Sequence, residues 1–145
     1  MKALIQRVSS SKVYINNKKY SSINEGLLIF LGIHIKDNQS NAQILANKII
    51  NLRIFPGDNK KMDKSLVDIY GSALVVSQFT LCANHEKGRR PSFSNAASPE
   101  VAKSLYLCFI KEIENNKISV QSGKFQSNMA IHLINEGPVT FIIES

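Results

Sequence analysis

Apolar and polar positions alternate with a period of two through much of this chain, the spacing of half-buried strands. Residues 2–8 and 12–15 alternate in this way and predict a first pair of short strands. "GLLIFLGI", Gly26 to Ile33, is apolar almost throughout, as a central strand buried on both faces must be. After Asn38-Gln39-Ser40 the period changes. Ala42, Leu45, Ala46, Ile49 and Leu52 fall on one helical face behind a capping segment. "FPGDNKK" breaks the pattern as a loop, and Ser72 to Leu81, "SALVVSQFTL", predicts a core strand. A polar loop follows from Asn84 to Ala97. Ser98, Pro99 and Glu100 then read as N-cap, N1 and an acidic first turn, with the stripe Ala102, Leu105, Tyr106, Phe109 and Ile113 carrying a helix to about Glu114. Three more strands are expected near 118–122, 129–134 and 138–143. Helices interrupting a longer series of strands point to an α/β or α+β layered arrangement. No repeat or linker divides residues 1–145, so a single domain is expected.

One place fits this pattern poorly. In "LINEGPVTFI", residues 133–142, apolar alternation runs up to and away from Gly137-Pro138. A tight hairpin there would favour Asn-Gly or Asp-Gly, and a proline opening the next strand forfeits a ladder hydrogen bond. The pair is either a plain turn or a piece of functional backbone.

Composition narrows the possibilities. With 43% hydrophobic and 20% charged residues, the chain has the makings of a soluble globular protein. Its longest apolar run is too short to span a bilayer, and "MKALIQRV" opens in strand-like alternation rather than as a signal peptide. Cys82 and Cys108 each lie in apolar runs without a Cys-x-x-Cys partner and read as reduced thiols in a cytoplasmic protein. The net charge of +7 suits a polyanionic partner, although a lysine-rich surface could account for it alone. It concentrates in "GDNKKMDK", Gly57 to Lys64, and "HEKGRR", His85 to Arg90.

Several chemistries are excluded by their missing signatures. There is no Gly-x-Ser-x-Gly elbow, no Walker A loop and no Gly-x-Gly-x-x-Gly, and His34, His85 and His132 lack metal-ligand spacing. These absences leave no ground for a nucleotide cofactor and argue against a zinc site. What remains is Ser77-Gln78-Phe79-Thr80, three polar side chains in four positions inside an apolar strand. Each must find a partner if buried. Gln78 and Thr80 could share one strand face with Ser77 and Phe79 on the other, all satisfied locally; alternatively the segment borders a small polar cleft.

Together these segments resemble a known family. "VSQFTL", Val76 to Leu81, and "NEGPVTF", Asn135 to Phe141, are similar to the two signatures of D-aminoacyl-tRNA deacylases. "ALIQRV", "GLLIFLG", "LRIF" at 52–55, "KM" at 61–62, "RPSF" at 90–93 and "GKFQSNM" at 123–129 resemble the family too, in family order along nearly the whole chain. The resemblance implies a three-layer α/β/β sandwich, a cytoplasmic homodimer, and no metal or organic cofactor. The implied activity is hydrolysis of the ester joining a D-amino acid, or mischarged glycine, to the 3′-terminal adenosine of tRNA. Ser77, Gln78, Phe79 and Thr80 would form the catalytic segment, with Phe125 and Met129 lining the adenosine and aminoacyl pocket. Gly137-Pro138 would be a cis peptide inserted into the partner subunit's site, where its carbonyls meet the substrate α-amino group and an L side chain collides with it. Arg7 would hold that motif in position. Lys61, Lys64, Arg89 and Arg90 are candidates for tRNA phosphates.

Two mechanisms fit these residues. Thr80 could act as nucleophile or orient water, with Gln78 or backbone N–H groups stabilising the oxyanion. Alternatively the protein positions the ester and the tRNA's own 2′-hydroxyl helps to activate water. The lack of an obvious base beside Thr80 favours the second. Two other functions compete: a basic module that binds tRNA or DNA without catalysis, and an editing domain that removes L-amino acids.

Overall fold

The computed structural model describes residues 1–86 and 88–145; Lys87, within the second basic loop, lies outside the described residues. Strand β1 (Lys2–Ile15) runs without a break through the segment expected to hold two strands. The three serines Ser9-Ser10-Ser11 interrupt its apolar alternation but not its ladder: Ser11 is buried and its hydroxyl donates to the His132 carbonyl at 3.3 Å. β2 (Lys18–Ile23) follows, a strand that its polar sequence "KKYSSI" conceals. β3 (Gly26–Gly32) is the expected central strand. Helix α1 (Gln39–Ile50) is capped by Asn38 through a reciprocal box with Asn41. The Pro-Gly loop proves to be a small hairpin of β4 (Phe55–Pro56) and β5 (Met62–Lys64).

β6 (Ser72–Ser77) stops four residues short of its expected end. Helix α2 (Pro99–Asn115) opens with Pro99 in its first turn, but the Ser98 side chain makes no capping bond. β7 (Ser119–Ser122) precedes β8 (Ala130–Glu144), a single strand where two were expected.

The sheet runs β2-β1-β3-β6-β7, parallel at β3/β6 and β6/β7, with β8 antiparallel to β1. β1 serves two layers. Its first half pairs β3 and its second half pairs β2, and β8 accompanies both. On one face α1 and α2 bury Leu45, Ile49, Phe109 and Ile113 against Ile5, Leu27, Ile29 and Val75. On the other, Leu28, Leu74 and Val76 meet Val13 and Ile23, with Ile131 and Leu133 packed against them. The second half of β1, β2 and the start of β8 thus fold back over the sheet and complete the α/β/β layering. Gly26 lets β3 approach β6 closely, since a Cβ there would lie 1.8 Å from the Ser72 carbonyl oxygen.

Candidate active site

Where β6 ends, the chain turns out of the sheet. The Gln78 N–H still bonds the Leu31 carbonyl at 2.8 Å, but Phe79–Cys82 wind into a 3-10 turn. This overturns the strand alternation expected for Ser77 to Thr80. Instead of sharing a strand face, Gln78 and Thr80 are joined by a hydrogen bond from the Gln78 amide to the Thr80 hydroxyl. The turn rests on Gly32: a Cβ there would lie 2.9 Å from the Leu81 Cβ and 3.1 Å from both the Cys82 sulfur and the Gln78 carbonyl oxygen. Buried Cys82 lies under the turn, and desolvation pushes its thiol up, so it is held as the neutral thiol.

Beside this turn opens a cleft of about 570 Å³. Ser77, Gln78 and Phe79 line one side, and Phe125, Met129 and Ile131 another. Sequence reasoning missed the rest of the lining. Gln126, Ser127 and Asn128 come from the loop before β8, and Ala96, Ala97, Pro99 and Ala102 from the approach to α2 and its first turns. The polar string "QSN" inside "GKFQSNM" was the available signal. No lining residue among those described carries an ionisable side chain. Its polar groups are hydroxyls, amides and backbone, and Thr80 itself is exposed just outside it.

Tyr106 buttresses the cleft from behind. Its hydroxyl donates to the Val75 carbonyl at 2.7 Å, which also accepts the Gly123 N–H at 2.9 Å, and its ring lies 5.7 Å from Phe125. Burial pushes the Tyr106 hydroxyl far above the usual tyrosine range. One side chain therefore ties together the strand that leads into the turn and the loop opposite it. Gly123 is confined as well, because a Cβ there would lie 2.7 Å from the Met129 sulfur.

Gly137-Pro138 lies elsewhere. It is a cis peptide, as the resemblance implied, but it is not a hairpin turn, because β8 pairs the same strand on both sides of it. Gln6 faces Thr140 and Val8 faces Asn135, so four residues of β8 stand opposite Arg7 alone, and Glu136, Gly137 and Pro138 form an exposed bulge. Arg7 stands opposite. Its Nε donates to the Glu136 carbonyl at 3.0 Å and its Nη1 to the Ile54 carbonyl at 2.6 Å. The Asn135 amide closes the bulge by donating to the Arg7 and Val139 carbonyls, both at 3.1 Å. A Cβ on Gly137 would lie 2.5 Å from the Asn135 Oδ1. The four residue steps from Ile131 to Asn135 put about 13 Å between the cleft lining and the start of the bulge. Neither Gly137, Pro138 nor Arg7 lines the cleft of its own chain.

The basic candidates fall in two places. Lys61 and Lys64 sit on the β4–β5 hairpin, which begins at the Ile54 held by Arg7, and Lys64 is paired with Asp58 at 3.3 Å. Exposed Arg89 and Arg90 sit on the loop that follows the 3-10 turn. The histidines stand apart: His34 bridges to Ala96, His132 packs on Tyr14 with ring centroids 4.9 Å apart, and His85 is exposed. Both cysteines are free, and no described helix is long and apolar enough to cross a membrane.

Known proteins are similar to this chain along nearly its whole length. A family model described as D-Tyr-tRNA(Tyr) deacylase matches residues 4–144. A D-aminoacyl-tRNA deacylase of Geotalea daltonii is 54% identical over 145 residues, covering 100% of this chain and 97% of that protein. One from Clostridioides difficile is 48% identical with the same coverage. Among solved structures, a c-Myc DNA unwinding element binding protein superposes with a TM-score of 0.93 at 36% identity, covering 100% of this chain and 99% of that one. A probable eukaryotic D-amino acid tRNA deacylase shares the fold, with a TM-score of 0.87 at 17% identity over 99% and 98% of the two chains.

Proposed function

Because the chain belongs to the D-Tyr-tRNA(Tyr) deacylase family, we propose that it is a D-aminoacyl-tRNA deacylase, a hydrolase of the ester between a D-amino acid and the 3′-terminal adenosine of tRNA. It would act in the cytoplasm, where charged tRNA is used. The observation that carries the mechanism is a cleft in which no described lining residue has an ionisable side chain. Such a site offers neither a base to activate a threonine nor an acid for the leaving group. Its contribution is orientation and hydrogen bonding. The N–H groups that open the 3-10 turn, at Phe79 and Thr80, can stabilise an oxyanion, since the first amides of a helical turn have no acceptor within it. The substrate's 2′-hydroxyl supplies the group that helps to activate water.

Chirality would be read by a second copy of the chain. β8 pairs only β1 among the described residues, and exposed Ile134, Phe141 and Ile142 flank the Gly137-Pro138 bulge along this outer strand. An open edge with apolar side chains invites association. In a homodimer the bulge of one subunit would enter the cleft of the other. There the Gly137 and Pro138 carbonyls would face the α-amino group, and an L side chain would meet backbone. Glycine has no side chain to reject and would pass the same filter, so glycyl-tRNA is expected as a second substrate. The same docking would bring Lys61 and Lys64 of one subunit towards Arg89 and Arg90 of the other, where phosphate contacts would make tRNA affinity salt-dependent.

The test is a deacylation time course on D-tyrosyl-tRNA and L-tyrosyl-tRNA with no added metal. Rapid loss of the D ester alone is the expected result. Loss of both esters would indicate an L-editing or unspecific esterase. Persistence of both with RNA or DNA still bound would favour a binding module, the activity named for the c-Myc DNA unwinding element relative.

A further inference from the structure

Two aromatic rings at the mouth of the cleft are left exposed. Phe79 is 59% and Phe93 38% accessible, and the rings meet edge to face with centroids 4.9 Å apart. Phe79 lines the cleft, whereas Phe93 does not. Two neighbouring phenylalanines left partly in water forgo apolar burial, which calls for a function.

Phe93 is held in place on both sides. Ser92 exchanges two backbone hydrogen bonds with Asn84, both of 2.8 Å, which closes the loop that carries Arg89 and Arg90. Beyond it the Ala96 N–H bonds the Phe93 carbonyl at 3.0 Å, and Asn95 and Ala97 are pinned to Ile35 and Ile33 at 2.9 Å. The ring thus stands on fixed backbone rather than on a free loop tip. Arg89 and Arg90 are exposed and in no ion pair among the described residues. Exposed aromatic faces beside positive charge are the elements with which proteins hold single-stranded nucleic acid: bases stack on the rings, and cations track the backbone.

We propose that Phe79 and Phe93 form a stacking platform for the base of the nucleotide that precedes the terminal adenosine of the bound RNA, with Arg89 and Arg90 facing its phosphates. This rests on the deacylase reading and extends it beyond the cleft, from recognition of a charged adenosine to recognition of a charged strand. The arginines decide for RNA over a second copy of this basic chain as occupant, since a partner with a net charge of +7 offers them no excess of anions.

The test compares two esters with the full chain: D-tyrosyl-tRNA, and D-tyrosyl-adenosine, which lacks any preceding nucleotide. Phe93→Ala is expected to lower kcat/KM for the tRNA ester by about tenfold or more, the scale of one lost base–aromatic stack, and to leave the adenosine ester unchanged. Phe93→Trp should restore the tRNA rate. The sequence contains no tryptophan, so the same variant supplies the chain's sole indole, whose fluorescence uncharged tRNA should quench. Equal losses on both esters would make Phe93 a wall of the cleft, and no loss on either would leave the ring idle; each overturns the platform. So would an indole that is buried by a second copy and indifferent to RNA. A wild-type protein inert towards both esters would instead sink the deacylase reading, and the platform with it.

Discussion

The cleft and the Gly137-Pro138 bulge are both places where a strand leaves its ladder, yet they are built in opposite ways. At the end of β6 the chain curls inwards over Gly32 and encloses a concave space walled mainly by apolar side chains, with no ionisable group among the described residues. On β8 it swells outwards and is held by polar side chains, with Arg7 and Asn135 gripping carbonyls along the bulge and its neighbour strand. A hollow can be shaped by packing, because its walls support one another. A protrusion has solvent on most sides, so its backbone is fixed by hydrogen bonds or not at all. The concave element is suited to receiving a substrate and the convex one to excluding a substrate.

That contrast is open to attack at its strongest point. Arg7→Ala removes two charged hydrogen bonds, to Glu136 and Ile54, each worth about 1.5–3 kcal/mol. Turnover of D-tyrosyl-tRNA should fall at least tenfold on the scale of one such bond, while circular dichroism stays native. An unchanged rate would show that the bulge needs no clamp. Gly137→Ala comes next. Its new Cβ would displace the Asn135 side chain, at a cost of about 1 kcal/mol or more, and the ratio of D to L hydrolysis should drop with it. A variant that keeps full discrimination would remove the bulge from the chiral filter.

On the concave side the expected effects are smaller. Thr80→Ala deletes only the acceptor of the Gln78 amide, and its rate should stay within about threefold of the parent, as for one neutral hydrogen bond. Collapse to background would restore Thr80 as a nucleophile. The subtlest test is the shape of the pH profile. With no titrating group among the described residues of the cleft lining, the logarithm of the rate should rise with hydroxide between about pH 6 and 8 and bend only where the substrate's own α-amino group titrates. A bell-shaped profile would reveal a catalytic side chain from outside the lining.

Much of this architecture was legible in the sequence because it rests on local rules. The stripes of α1 and α2, the apolar run of β3 and Pro99 at the start of α2 each state their element directly. The Ser77–Thr80 segment and the Gly-Pro pair were legible as motifs. What escaped depends on pairing between distant segments. Ser9-Ser10-Ser11 looked like a break in β1, and Gly137-Pro138 like the end of a strand, because only the partner strand reveals that the ladder continues past each. β2 escaped because a polar strand needs no apolar alternation when its neighbours supply the burial. The 3-10 turn was mistaken for strand because "SQFTL" keeps the apolar content of β6, whereas the departure from the sheet is set by Gly32, far away in sequence. Tyr106 read as one more residue of a helical stripe, and its hydroxyl's grip on Val75 has no sequence signature.

Gly32 carries a consequence for anyone redesigning this protein. A library that diversifies residues 77–82 and 125–131 in search of new acyl specificity would treat β3 as inert scaffold and leave position 32 free to drift. The lack of a Cβ there is what lets the 3-10 turn settle. Selection for stability alone would see only a glycine in a strand and favour its replacement. Position 32 therefore belongs with the cleft in any such design, as a coordinate of the specificity to be held constant.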